Sequence, residues 1–130
     1  MHYMWLQASN PDGSMVSQFT VPDDRDAEVQ VTAMYQGEAD DLPEVFRRHN
    51  SDHRPLGKIT RSMSVGDIVV QWTEAENASV HVVAPFGWRE LTGDLADTLV
   101  RLAFHRTKSR EIIRGDQYWE SLKGESMRGA

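Results

Sequence analysis

The first third of the chain contains three short segments of strand-forming residues. They run from His2 to Ala8, from Met15 to Val21 and from Glu28 to Tyr35, and turn-forming residues separate them. In the third segment Val29 and Val31 alternate with polar neighbours. This period of two places one face of a strand against a core. We therefore predict three strands in this part of the chain.

A helix start follows at Asp41. Asp41 has a side chain suited to an N-cap, Pro43 lies in the first turn, and Glu44 stands three residues after the cap, as in a capping box. The helix is predicted to end by Asn50. Arg47 and Arg48 are predicted to point toward water. The face predicted to point toward the core consists of Leu42, Val45, Phe46 and His49.

The residue pattern of the second half of the chain predicts two strands and two helices. Asp67 to Trp72 and Ala78 to Ala84 are apolar runs joined by a polar connection, which favours an antiparallel hairpin. Pro85 to Trp88 is predicted to be a turn. From Leu91 onward apolar residues recur at helical spacing, with acids early and bases late, the order that the helix dipole favours. A last short helix is predicted from Asp116 to Lys123, with Gly124 at its end and Tyr118, Trp119 and Leu122 buried.

The composition is that of one folded domain. The 130 residues include 39% hydrophobic and 26% charged residues and no cysteine, which excludes a disulfide framework and a Cys-based zinc site. The N-terminus lacks the pattern of a secretory signal, and no apolar run approaches the roughly 20 residues of a membrane span. We predict a cytoplasmic α+β domain over residues 1–130, with a small, mainly antiparallel sheet, two to three helices and a helical part over residues 92–124.

The formal net charge of −6 is unevenly distributed. Residues 1–45 contain nine acidic residues and a single basic residue, Arg25. Acidic residues placed like phosphates are able to occupy the basic cleft of a DNA-binding protein. The alternative is that these acids serve only in turns and at helix starts. The candidate protein-binding surface consists of Asp23, Asp24, Asp26, Asp40 and Asp41.

The segment from Ser62 to Asp67 raises the question of a nucleophile or a phosphate loop. No base accompanies Ser62 or Ser64 in a G-x-S-x-G or S-x-x-K arrangement, and Gly66 is the single glycine of a segment that leads into a strand. We therefore predict a structural turn in which Gly66 supplies backbone freedom and Asp67 or Ser64 caps local N–H groups. A lost cap costs about 1 kcal/mol, which is the destabilisation expected for Asp67→Ala.

The histidines offer at most a weak metal site. His49 and His53 are four residues apart, but Asn50 and Pro55 indicate that the helix ends between them. Zinc also needs a third protein ligand, which the spacing does not provide. We expect no metal or cofactor, and we expect His81 to face solvent from a strand.

A basic track follows the long predicted helix. It can contact phosphate, but the acidic balance of the whole chain favours a solvated helix face and connector instead. The candidate nucleic-acid contacts are Arg106, Lys108, Arg110 and Arg114, preceded by Arg101.

The span of residues 29–91 contains an ordered series of motifs. A strand ends in Tyr and Gly, a short helix closes in an aromatic residue and Asn, a Pro-containing loop follows, and a serine-rich turn ending in Asp opens an apolar strand before a Phe-Gly-aromatic segment. The positions that match are Tyr35, Gly37, Phe46, Asn50, Pro55, Gly57, Ser62, Ser64, Asp67, Val69, Val70, Phe86, Gly87 and Trp88. This series of motifs resembles the YodL-like domain. The resemblance implies a small domain of plasmids, conjugative elements and phages, often found beside antirestriction functions, without an established enzyme activity.

Two functional hypotheses follow. The first is a non-enzymatic interaction protein of a mobile element that binds a host protein and thereby interferes with host defence. The alternative is a small nucleic-acid-binding or regulatory domain that uses the basic track. An enzyme ranks third, because no catalytic set is visible. The sequence leaves the oligomeric state open.

Overall fold

The computed structural model describes residues 1–105 and 110–123, which contain one six-stranded antiparallel sheet, three α-helices and a short 3-10 helix, Ala75–Asn77. The fold class predicted from the sequence, α+β with a mainly antiparallel sheet, is therefore confirmed. The strands are β1 (His2–Ser9), β2 (Glu28–Glu38), β3 (Ile68–Trp72), β4 (Ser79–Ala84), β5 (Gly87–Leu91) and β6 (Arg110–Arg114), and the helices are α1 (Leu42–Arg48), α2 (Gly93–His105) and α3 (Gln117–Ser121).

The sheet has the strand order β5-β4-β3-β1-β2-β6, so the first strand of the chain lies inside it. β1 pairs with β2 on one side and with β3 on the other, and Trp5 has Tyr35 and Val69 as its two neighbours. The register between β1 and β2 shifts by one residue between Trp5 and Leu6. β5 and β6 form the two edges.

Each face of the sheet carries its own apolar core. Side chains alternate between the faces along each strand, so Tyr3 and Trp5 face α1 while Met4 and Leu6 face α2 and α3. The predicted burial of Tyr118, Trp119 and Leu122 on α3 is confirmed. None of the helices within residues 1–105 and 110–123 is long and apolar enough to cross a membrane.

The predicted start of α1 is confirmed at atomic detail. The Asp41 side chain accepts a hydrogen bond from the Glu44 N–H at 2.9 Å, and Glu44 accepts one from the Asp40 N–H at 2.7 Å. The prediction that Arg48 faces water is wrong. Its guanidinium donates to Glu44 at 2.9 Å and to the carbonyl of Glu38, so it ties α1 to the end of β2.

The strand predicted from Met15 to Val21 is wrong. Apart from one bridge between Ser9 and Met15, the segment consists of turns and irregular chain, and Phe19 is 85% exposed. Local propensity favoured a strand here, but β1 pairs with β2 from His2 to Ser9 and with β3 from His2 to Leu6. Asp67 and Arg61 bond the backbone of Ala8, so only Ser9 of β1 bridges this segment.

Two strands were missed. Gly87 and Trp88, predicted to lie in a turn, begin β5, and the turn is limited to Pro85 and Phe86. Arg110 to Arg114, predicted to lie in a connector, form β6 against β2. The described residues after 92, which are 93–105 and 110–123, therefore form a helix, a strand and a helix. The predicted helix end at Gly124 lies outside the described residues.

Candidate functional site

An apolar cleft lies between α1 and the β4–β5 hairpin, with a volume of about 280 Å³. None of its lining side chains is charged or titratable, so it offers contact area rather than proton transfer. The lining residues are Phe46, Val65, Val83, Ala84, Pro85, Gly87 and Trp88. We call it the Phe46–Trp88 cleft.

Two aromatic rings give the cleft its shape. Phe46 projects from α1 and Trp88 from β5, and the rings meet edge to face with centroids 6.5 Å apart, one of the preferred arrangements of aromatic pairs. Phe86 lies at the tip of the hairpin between two lining residues and is 76% exposed. Phe46 and Trp88 thus border the cleft, and exposed Phe86 belongs to the same hairpin as Trp88. Exposed apolar patches of this kind often mark interaction sites.

The hairpin contains the Phe-Gly-Trp segment that contributes to the family resemblance. Gly87 has φ 117°, a conformation that glycine adopts without the penalty of a side chain. Forty-one positions separate the two rings along the chain, so spacing did not predict their contact. The available signal was that an aromatic residue on the helix and the Phe-Gly-Trp segment belong to the same motif.

His49 is fully buried behind α1 in an aromatic enclosure. Its Nε2 lies 2.8 Å from the Tyr3 hydroxyl, and the rings of Trp5 and Tyr35 lie 4.9 and 5.0 Å from the imidazole. Arg48 donates to the Tyr3 oxygen at 3.3 Å, so the Tyr3 hydroxyl is free to donate its proton to His49. Burial, assisted by the Arg48 charge, lowers the pKa of His49 to about 4. His49 is therefore neutral at pH 7.

His53 and His81 do not join His49. His53 is exposed in the loop after α1. His81, predicted to face solvent, is half-buried, lies 3.1 Å from Gln71 and 3.2 Å from Ser79, and has a pKa lowered by burial. In the part of the chain that the structure describes, no three His, Asp or Glu side chains form a metal-binding group.

The turn before β3 is held by a buried ion pair. Asp67 has no exposed surface, and its carboxylate bonds the Arg61 guanidinium at 2.8 and 2.9 Å and the N–H groups of Ser64 and Ala8. Burial raises the pKa of Asp67, and Arg61 opposes that rise. The prediction that Asp67 caps a local N–H group is confirmed at Ser64. The ion pair between Asp67 and Arg61 was not predicted.

The candidate serines take part in this turn. The Ser64 hydroxyl and the Ser62 carbonyl both accept hydrogen bonds from Arg61, at 2.8 and 3.0 Å. A guanidinium is a permanent donor and does not remove a proton from a hydroxyl. The geometry of these serines is that of a structural turn.

The acidic residues fall into two groups at opposite ends of β2. Ten steps of an extended chain separate the ends of this strand, which amounts to about 30 Å. Several of the acids have local tasks: Asp24 caps the N–H of Asp26, Asp26 pairs with Arg114 at 3.0 Å, and Asp41 caps α1. The fold therefore does not unite the five predicted residues in one surface. The first group contains Asp23, Asp24 and Asp26, and the second contains Asp40 and Asp41.

Half of the predicted nucleic-acid contacts lie on β6. Arg110 and Arg114 are exposed on one face of this edge strand. Ile112 lies between them on the same face and is 49% exposed. Beside them is a groove of about 490 Å³ between β6 and α2, which contains acidic as well as basic side chains, including Glu28 and Asp94. The other predicted contacts, Arg106 and Lys108, lie outside the described residues.

Comparison with protein families matches residues 8–93 to the YodL-like domain, which is well over half of the chain. The chain belongs to the YodL-like domain family. Within this YodL-like span lie the Phe46–Trp88 cleft, buried His49 and the Asp67 turn, whereas β6 and α3 follow it. The resemblance predicted from residues 29–91 is thereby confirmed, and the match reaches back to the end of β1. Comparisons with curated proteins and with solved structures gave no significant match.

Proposed function

We propose that this YodL-like protein is a non-enzymatic interaction protein of a mobile genetic element. It binds a host protein through the Phe46–Trp88 cleft and interferes with host defence by doing so. The observation that carries the proposal is an exposed cleft with purely apolar and aromatic walls. Trp and other aromatic residues are enriched among the residues that dominate binding energy at protein interfaces.

Three buried groups with shifted pKa values support binding rather than catalysis. His49, Asp67 and Tyr118 have shifted pKa values because they are buried. Each is also engaged in a structural hydrogen bond, and none lines the Phe46–Trp88 cleft. A catalytic acid or base must reach the proton that it transfers. These three groups stabilise the fold.

The acidic residues have a secondary role in this proposal. Because they form two separate groups, they do not present a compact mimic of a phosphate backbone. A net charge of −6 still attracts a basic partner over a distance of roughly a Debye length, about 8 Å at physiological ionic strength. Charge reversal at Asp23, Asp24 and Asp26 is expected to slow association with such a partner and to leave the cleft contacts intact.

The test is affinity capture from host lysate across a salt series, with and without nuclease. Trp88→Ala removes one wall of the cleft, and Phe19→Ala is the matched control because Phe19 is an exposed aromatic residue outside the cleft. We expect a nuclease-resistant protein that is retained by the control and lost by Trp88→Ala. Equal capture by both variants would refute cleft binding.

The alternative function is nucleic-acid binding through β6. It is favoured by the placement of Arg110 and Arg114 on one exposed face of an edge strand. The carboxylate of Asp26 already neutralises Arg114, which weakens the case. Recovery of nuclease-sensitive material only, with affinity that falls linearly against salt in a log–log plot, would support this alternative.

A further inference from the structure

We infer that the partner binds as an added β-strand along β5, with a large apolar side chain packed against Trp88, one wall of the Phe46–Trp88 cleft, and a Lys or Arg two positions away. The inference rests on the proposed function and specifies the chemistry of its partner. It follows from three features of β5: an open edge, backbone groups that face this edge, and two side chains on one face.

β5 has a strand on one side only. It pairs with β4 from Gly87 to Leu91, and within residues 1–105 and 110–123 no strand lies beyond it. An edge strand of this kind is a ready template for an extended peptide, which gains main-chain hydrogen bonds from it.

The pairing pattern shows which backbone groups face the open edge. Val83 of β4 donates to the Asp67 carbonyl at 2.9 Å and accepts from the Gly66 N–H at 2.8 Å, so its backbone faces β3. In an antiparallel pair, a residue opposite such a position directs its own N–H and C=O away from the partner strand. Trp88 is opposite Val83. Glu90 lies two residues further along β5 and therefore has the same backbone orientation as Trp88. Both residues therefore present a donor and an acceptor at the edge.

Thr92, two residues after Glu90, shows how backbone groups at this edge are hydrogen-bonded. The Gln117 carboxamide accepts from the Thr92 N–H at 3.1 Å and donates to the Thr92 carbonyl. A single amide thus bonds both backbone groups, as a peptide unit of a neighbouring strand would. Gln117 closes this end of the edge, so an added strand has Trp88 and Glu90 as its bonding positions.

The side chains at these positions define the partner sequence. Residues two apart share a face of a strand, so Trp88 and Glu90 point to the same side as α1. A partner residue opposite Trp88 lies beside the Trp88 ring, which forms one wall of the apolar cleft, and the residue two positions away lies beside exposed Glu90. The matching pattern is a large apolar residue, any residue, then Lys or Arg, in either chain direction.

A second copy of the chain is a poorer occupant. Antiparallel pairing of two β5 edges through Trp88 and Glu90 sets the Glu90 of one copy opposite the Trp88 of the other. This arrangement brings a carboxylate against the apolar ring of Trp88, where burial of an unpaired charge is unfavourable. A basic peptide avoids this cost.

The test selects displayed random dodecapeptides on the whole protein, with Phe19→Ala as control bait and Trp88→Ala and Glu90→Lys as test baits. We expect enriched peptides to share the apolar-x-basic pattern, to be lost on Trp88→Ala and to bind Glu90→Lys at least tenfold more weakly. A synthetic peptide from this set is then N-methylated at one position at a time. Methylation at alternate positions, those that face β5, is expected to lower affinity about tenfold, equivalent to about 1.4 kcal/mol.

Each other outcome overturns the inference in a recognisable way. Peptides that need Trp88 but show no alternation in their sensitivity to N-methylation would refute strand addition and leave the proposed function standing. Failure to enrich any Trp88-dependent peptide would refute the peptide-binding inference, and capture from lysate would then decide the proposed function by itself. A dimer that Trp88→Ala dissociates, detected by sedimentation, would identify a second copy as the occupant.

Discussion

The buried imidazole of His49 predicts a specific loss of stability in acid. Its Nε2 bonds Tyr3, and aromatic rings surround it. In the unfolded chain a histidine binds a proton below a pKa of about 6.5, whereas in the fold burial lowers the pKa of His49 to about 4. Between these two values the unfolded state binds more protons than the folded state, so stability falls as the pH falls.

The size of the effect follows from the two pKa values. Each unit of difference corresponds to 1.36 kcal/mol, so the free energy of unfolding loses about 3 kcal/mol between pH 7 and pH 4 through this one residue. A loss of this size is a large fraction of the roughly 5–15 kcal/mol that stabilises a typical domain. The contribution of His49 is therefore fully present above pH 6.5 and is lost as the pH falls to 4.

The assay is urea unfolding of the wild type and His49→Gln at pH values from 7.5 to 4. Other titrating groups contribute to both proteins, so the difference between their free energies of unfolding isolates His49. We expect this difference to change by about 3 kcal/mol across the pH range, in the direction that penalises the wild type in acid. Tyr3→Phe is the control, because it removes a hydrogen bond but keeps the imidazole buried, and it is expected to retain most of the pH dependence.

Two results would refute this reasoning. One is a difference between wild type and His49→Gln that stays constant with pH. The other is an NMR titration in which the His49 ring protons shift with a midpoint near 6.5. Either would mean that the imidazole is solvated in the folded protein.

Three further predictions concern stability and are checked by chemical or thermal unfolding. Asp67→Ala leaves the guanidinium of Arg61 without its buried partner, so it is expected to cost about 3 kcal/mol or more rather than the 1 kcal/mol of a lost cap; a smaller cost would mean that Arg61 finds water. Gly66→Ala is expected to cost more than about 1 kcal/mol, because Gly66 has φ 98° and an added Cβ would meet Val16 at 2.5 Å; an unchanged melting temperature would contradict this geometry. Asp41→Ala should cost about 1 kcal/mol and Asp41→Asn much less, since Asn retains the capping oxygen.

The sequence by itself determined the elements whose pattern is local. The cap at Asp41, the period of two around Val29 and Val31, and the helical spacing after Leu91 each fix a conformation through neighbours a few residues away. The predictions made from them were confirmed. The resemblance to the YodL-like domain was also available from the sequence, because it depends on the order of residue types rather than on contacts.

Only the tertiary structure decided which segments complete the sheet. Met15 to Val21 was predicted to be a strand and Arg110 to Arg114 a connector, yet the first is irregular and the second forms β6. The difference is that β2 has a free side for β6, while β1 pairs with β2 and β3 and leaves only Ser9 to bridge Met15. Such pairing joins positions far apart in the chain, and no short window of sequence records it.

The candidate site was decided in the same way. The sequence identified Phe46 and Trp88 as motif positions, but their contact requires α1 to pack beside the β4–β5 hairpin. It also identified Asp67 as a cap, without the guanidinium of Arg61 that neutralises it. Residue types and local periods are written in the chain, whereas burial, partner groups and the open edge of β5 exist only after distant segments have packed.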